Sequence, residues 1–355
     1  MKPNWELTGH EWAVNLLRRH VANGETRHAY LFAGPTGVGR RTLAMKFAQA
    51  LLCTKPPAPG ESCGECRDCK MAAAMRHPDL AIVAPVVRDG TIKVEQVREA
   101  QSLIYLKPYQ SRFRISLFLD FQQATIPAQN AMLKTLEEAP AHAILILVAN
   151  EPEQLLPTIV SRCEVLRLRP AGVPEVERML EGEGVAPEKS RLLAHIGDGR
   201  AGYAKTLLAD EEGMATRAQR LEELHALLKS SRVQRFAYAE MLAKTRCKDV
   251  HVAEHITLTR PEESELERIR GKCVLDKTLP IWLSFWRDVL LRTAGAETPI
   301  TNLDQEARIN ELAARMDVAS ARKVVANLEL GIARLDRNVN KQLLTEVILL
   351  DWPHM

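Results

Sequence analysis

Along the first 170 positions, apolar residues gather in short unbroken runs: AYLFAG, LAIVAPV, RISLFLD, AILILVAN and CEVLRL. Between these runs they recur every three or four residues. A strand buried on both faces has no polar side to alternate with, so such runs predict a parallel sheet. The intervening periodicity predicts helices on both of its faces. The expected class of this part is α/β. The pattern breaks at LRPAGVPEV, where Pro170, Gly172 and Pro174 mark a hinge. Residues 171–209 then read as a small helical unit, with GEG and GDG as breaks. From 210 onward no strand pattern is present. RAQRLEELHALLKSS and NKQLLTEVILLDW are helical in period, and residues 248–278 read as a long connection. Leu343, Leu344, Val347 and Ile348 form one helical stripe, which serves either this region's own core or an interface. No internal repeat or low-complexity tract is present.

Composition narrows the function classes. A chain of 355 residues accommodates two or three domains. Its formal net charge is +3 and only 5% of residues are aromatic, which leaves no electrostatic footprint for autonomous DNA binding. MKPNWELTGHEW lacks the apolar segment of a secretory signal, and no apolar run reaches membrane-spanning length, so a cytoplasmic location is expected. In that compartment the seven cysteines read as free thiols or metal ligands before disulfides.

The stretch YLFAGPTGVGRRTLAMKFAQAL carries the order strand, glycine loop, helix that a phosphate-binding loop requires. Gly34, Gly37 and Gly39 supply the cradle, and an unrelated glycine turn before a helix is the plainer alternative. A working loop continues with Lys for the β- and γ-phosphates and Ser or Thr for Mg²⁺. Here Arg40 keeps the charge in a larger planar head, and Arg41 cannot ligate a metal. Thr42 carries a hydroxyl, but one residue later on a helix points about 100° away. The candidate metal-binding strand RISLFLD ends in Asp120, whose plainer role is a strand-end cap. A water-orienting carboxylate is expected beside it, and Phe121, Gln122 and Gln123 follow instead. Two separate losses argue against ATP hydrolysis and leave nucleotide binding open.

Cys53, Cys63, Cys66 and Cys69 form a C-x9-C-x2-C-x2-C array. Four thiolates suit tetrahedral Zn²⁺, and an all-cysteine shell marks a structural site. Reduced, metal-free thiols are the alternative. His77 would be a surplus ligand, and Cys163, Cys247 and Cys273 need no special role. Asn150, at the end of AILILVAN, is either a γ-phosphate sensor or a turn former. Ser161-Arg162-Cys163 precedes the last strand run, where an Arg is ordinarily a solvated charge. In QNAMLKTLEEAP, Lys134, Glu137 and Glu138 form a solvated face or an interface.

HAYLFAGPTGVG, the four-cysteine module, NAMLKTLEEAP and TIVSRCEVLRL follow one another in the order and spacing of bacterial clamp-loader subunits, and the chain resembles that AAA+ family over residues 1–209. LDRNVNKQLLTEVILLDWP resembles the family's final helix more loosely. The resemblance implies an AAA+ nucleotide-binding domain at 1–170 with a zinc module at 53–69, a helical lid at 171–209 and a helical collar at 210–355. It implies a five-subunit loader that places a sliding clamp on primed DNA, with gamma/tau motor subunits and a clamp-opening delta subunit as partners. It implies that the glycine loop persists as packing and that Arg162 of Ser161-Arg162-Cys163 serves in trans as an arginine finger for an adjacent motor. Gly199-Arg200 matches the family's lid sensor. Two other readings compete: an active clamp-loader ATPase, opposed by Arg41 and Phe121, and a zinc-stabilised DNA-binding module, opposed by charge and composition.

Overall fold

The computed structural model describes residues 5, 7–86, 90–245, 263–335 and 339–354, with 263–273 described as helical backbone only. Among these, two compact units separate. One holds the residues up to 176 together with 199–203; the other holds 177–198, 204–245 and the residues from 263 onward.

The first unit runs α1 (Glu11–Asn23), β1 (Ala29–Ala33), α2 (Arg40–Leu52), α3 (Arg67–Ala73), β2 (Leu80–Val83), α4 (Val94–Ile104), β3 (Arg114–Phe118), α5 (Ile126–Glu137), β4 (Ala143–Ala149), α6 (Pro157–Val160) and β5 (Glu164–Arg167). All five expected strands form one sheet in the order β2-β3-β4-β1-β5, every pair parallel. Residues one apart on a strand enter opposite cores. Tyr30, Phe32, Ile144 and Ile146 pack with Leu17 of α1 and Phe47 of α2, whereas Leu31, Leu145 and Leu147 pack with Ile104 of α4 and Met132 of α5. Two buried faces explain why these strands read as unbroken apolar runs.

The second unit is helical among the described residues. The remaining helices are α7 (Val173–Gly182), α8 (Pro187–Gly197), α9 (Ala201–Ala209), α10 (Glu211–Leu228), α11 (Arg232–Lys244), α12 (Glu263–Thr293), α13 (Glu306–Arg315), α14 (Val318–Leu335) and α15 (Lys341–Leu350). The second unit's core gathers Trp282, Phe285 and Trp286 of α12 with Leu224 of α10, Leu328 of α14, Ile348 of α15 and Trp352. Residues 263–278 correct the sequence reading: they are helix, not connection. Val274, Leu275, Thr278, Leu279 and Trp282 are buried at i, i+1, i+4, i+5 and i+8, the facing stripe of a helix. Gly271 and the internal Pro280 mask that period in the sequence. Residues 248–262 and Cys247 lie outside the described residues, as does the side chain of Cys273.

The α15 stripe divides. Leu344 and Ile348 are buried in the unit's core, while Leu343 and Val347 are 58% and 46% exposed. Arg235 of α11 is buried and ties the carboxyl ends of two helices. Its guanidinium donates to the carbonyls of Leu227 (3.0 Å) and Leu228 (3.4 Å) at the end of α10, and of Leu349 (3.0 Å), Trp352 (2.7 Å) and Pro353 (2.7 Å) around the end of α15. A helix's last carbonyls lack partners in the helix itself, and the negative end of its dipole favours a cation there.

Candidate functional site

The glycine loop joins β1 to α2 at the carboxyl edge of the sheet. Gly34 has φ +151°, and a Cβ there would sit 2.3 Å from the Leu168 carbonyl oxygen. At Gly37, φ is +89° and a Cβ would meet the Cβ of Tyr203 at 2.6 Å. The Gly37 carbonyl accepts the N–H groups of Gly202 (2.8 Å) and Tyr203 (3.3 Å). Gly39 has φ +103°. Gly34 and Gly37 are thus required by close packing, and Gly39 by its positive φ, whether or not a phosphate binds.

Arg40 opens α2 and is buried. Burial pushes its pKa down, and the negative charge of Asp120 works in the opposite sense. Its Nη2 reaches Thr36 Oγ1 at 3.4 Å, and among the described residues Nη1 meets no hydrogen-bond partner. Thr36 donates in turn to Asn150 Oδ1 at 3.2 Å, and the Asn150 N–H donates to Gln122 Oε1 at 3.2 Å. Thr36, Arg40, Gln122 and Asn150 are therefore brought together. Arg41 is not: it is exposed and reaches Met75 Sδ at 3.5 Å. Thr42 is exposed as well. Asp120 takes φ +51° and caps a short 3₁₀ turn. Phe121, where an acid was sought, is fully buried and packs edge-on against Phe118 with centroids 5.5 Å apart. Arg200 lies over the ring of Tyr203 at 4.6 Å.

The four cysteines converge, their sulfurs all within 4.8 Å of one another. Cys63 Sγ lies 3.6 Å from Cys53 Sγ and 3.8 Å from Cys69 Sγ. These separations far exceed a disulfide bond of about 2.05 Å. They match the edge of about 3.8 Å that a tetrahedron with Zn–S bonds near 2.3 Å requires. The N–H groups of Cys63, Cys66 and Cys69 donate to the sulfurs of Cys53 (3.4 Å), Cys63 (3.3 Å) and Cys66 (3.4 Å). Such donors stabilise thiolates. Against the upward push of burial, the Cys69 N–H and neighbouring thiols bring Cys66 down to about 6, whereas burial keeps the Cys53 and Cys69 thiols above the usual cysteine range. The donor set fits a zinc ion.

His77 stays outside the cluster. It is buried, accepts the Asp79 N–H at Nδ1 (3.0 Å) and turns Nε2 to Asp68 Oδ1 at 3.4 Å. Asp68, inside the module, accepts from Thr54 Oγ1 (2.8 Å) and Gln110 Nε2 (2.8 Å). The sequence reading missed this network. Gln110 is 42 residues from Asp68, and no local pattern links them.

Parallel register decides where Arg162 lies. β1 pairs with β5 so that Tyr30 faces Glu164 and Ala33 faces Arg167. Arg162, two residues before Glu164, is therefore level with His28 at the amino edge of the sheet. The glycine loop leaves from the opposite edge. Six strand steps at about 3.3 Å put roughly 20 Å between them. Arg162 donates through Nη1 to the Thr158 carbonyl (2.9 Å) and through Nη2 to Glu137 Oε1 (2.6 Å). Ser161 caps α6 and donates to the Thr158 carbonyl at 3.2 Å. The Cys163 thiol is pushed up to about 12 by burial. A cleft of about 320 Å³ opens beside Glu137, lined also by Arg27, His28, Phe113 and Pro140.

Comparison with known proteins bears on this arrangement. Two family models match: "DNA polymerase III, delta subunit" over residues 9–172 and "DNA polymerase III, delta subunit, C terminal" over residues 272–354. The delta-prime subunit of DNA polymerase III from Pseudomonas aeruginosa is 33% identical over 59% of this chain and 60% of its own length. That from Bacillus subtilis is 28% identical over 95% of this chain and 94% of its own. The chain belongs to the DNA polymerase III delta-prime family. The family's relatives include the tau subunit of Salmonella typhimurium, 32% identical over 55% of this chain and 30% of its own length. A solved gamma-subunit-related protein from Thermotoga maritima covers 95% of this chain and 97% of its own at 15% identity, with a TM-score of 0.45. Among the described residues no helix is long and apolar enough to cross a membrane.

Proposed function

We propose that this chain is a non-hydrolysing, delta-prime-type stator of the DNA polymerase III clamp loader, and that Arg162 acts in trans at the ATP site of a neighbouring subunit. The observation that carries the reading is the sheet geometry. Arg162 is fixed at the amino edge, roughly 20 Å from the chain's own glycine loop, where it cannot reach a phosphate held by that loop. A guanidinium on an exposed domain edge suits a partner's γ-phosphoryl group, because it is always charged and forks onto two oxygens. The loop itself supports the same reading: Arg41 is turned toward Met75 and Phe121 is core, so neither Mg²⁺ nor an attacking water is served. Cys53, Cys63, Cys66 and Cys69 hold a structural zinc ion.

In this reading residues 1–170 form a degenerate AAA+ domain, 171–209 a lid and 210–355 a collar. The partners are gamma/tau and delta subunits, and through them the sliding clamp and primed DNA in the cytoplasm. An active, tau-like ATPase is the second reading, favoured by the similarity to tau over 55% of the chain. Reconstitution separates the two. The isolated chain should show no ATPase above background. In a loader matched for assembly, Arg162→Ala should slow hydrolysis at the adjacent site, by up to roughly 10³-fold. Turnover by the isolated chain, or equal rates with and without Arg162, overturns the stator reading.

A further inference from the structure

We propose that Glu137 is a positioning residue for Arg162, fixing the plane in which the guanidinium meets a neighbour's polyphosphate; this rests on the trans role assigned to Arg162 above. Two acceptors on two elements hold the group. The Thr158 carbonyl of α6 takes Nη1 at 2.9 Å, and Glu137 Oε1 at the end of α5 takes Nη2 at 2.6 Å. A guanidinium has five N–H donors in one rigid plane, so fixing two leaves the others aimed.

The placement of Glu137 is adverse for its own helix. It is the last residue of α5, and Glu138 follows as the cap, which puts two carboxylates at the negative end of the helix dipole. Helix stability therefore does not account for the acid, and the contact to Arg162 does. Both side chains remain partly exposed, at 35% for Arg162 and 49% for Glu137. An exposed ion pair is weak. It orients the arginine without being able to withhold it from a triphosphate, and so the pair works as a guide and not as a lock.

The test uses a reconstituted loader with the full-length chain as wild type, Arg162→Ala, Glu137→Ala, Glu137→Gln or the double alanine variant, matched for assembly. Single-turnover ATP hydrolysis and ATP affinity are measured at the adjacent site. Glu137→Ala should lower the hydrolysis rate about tenfold without changing ATP affinity, the signature of misaligned chemistry. Glu137→Gln keeps the Oε1 acceptor and should recover most of the rate. The double variant should be no slower than Arg162→Ala alone. A Glu137→Ala rate at or above wild type, with Arg162→Ala still impaired, overturns the positioning role and leaves the stator reading intact. A wild-type rate from Arg162→Ala overturns both.

Discussion

Phe121 and Asp79 show how single residues settle what a motif can do. Phe121 stands beside Asp120 where a hydrolytic site has an acid, yet its ring is part of the core on which Phe118 packs. Phe121→Glu should therefore restore no ATPase, even with Arg40→Lys and Arg41→Thr. It should cost about 3–5 kcal/mol in urea denaturation, the usual scale for emptying an aromatic site and burying a charge. Asp79 is fully buried beside His77 and accepts hydrogen bonds from the N–H groups of Tyr109, Gln110 and Ser111 and from the Ser111 hydroxyl. Burial pushes its pKa up, and those donors outweigh burial and hold it below the ordinary aspartate value. The stabilisation is present above the unfolded pKa of about 3.9 and is lost as pH falls through the lower folded value. Urea midpoints should accordingly fall below about pH 4, and Asp79→Asn should flatten that fall while lowering stability at pH 7. Neither role was legible in the sequence. A residue after a strand and an Asp before one look alike whether they are solvated or enclosed.

At the level of elements, the strands were legible because double-sided burial writes itself as an apolar run. The convergence of Cys53, Cys63, Cys66 and Cys69 was legible because ligand spacing is local. Purified protein should carry one Zn²⁺ per chain by metal analysis, and Cys66→Ser should weaken both retention and the fold around α3. The network through Asp68, Gln110 and His77 adds an outcome that spacing could not suggest. Chelation should also loosen residues 109–111, read as faster amide exchange there. On α15 the sequence showed one stripe where the structure divides two. Leu344→Ala removes a buried side chain and should destabilise the chain by about 2–4 kcal/mol. Leu343→Asp with Val347→Asp should leave stability nearly unchanged and weaken loader assembly in size-exclusion mixing. Undiminished assembly of that pair would assign the exposed half of the stripe to solvent.

For the whole molecule, the sequence order of Arg162 and the glycine loop conveys little, since both flank strands of the same sheet. Their opposite placement emerges only once β1 and β5 are known to be parallel neighbours. The helical period of α12 was illegible for a different reason: Gly271 and the internal Pro280 break the pattern in the sequence, while the burial of Val274, Leu275, Leu279 and Trp282 is set by residues far along the chain. The Arg235 tie carries a consequence for biogenesis. Its acceptors at Leu349, Trp352 and Pro353 lie 114 to 118 residues downstream. During synthesis, every strand of the sheet has been made once residue 167 is added, whereas the helical core waits for residue 353 before its arginine is satisfied. A ribosome that stops early thus releases a chain that carries Arg162 on a formed sheet but has an unclosed helical core and a buried cation without its full set of carbonyls. Pulse-labelled nascent chains arrested at about residue 345 should be protease-resistant through the sheet and cleaved in α10–α12, and only extension past residue 353 should protect both.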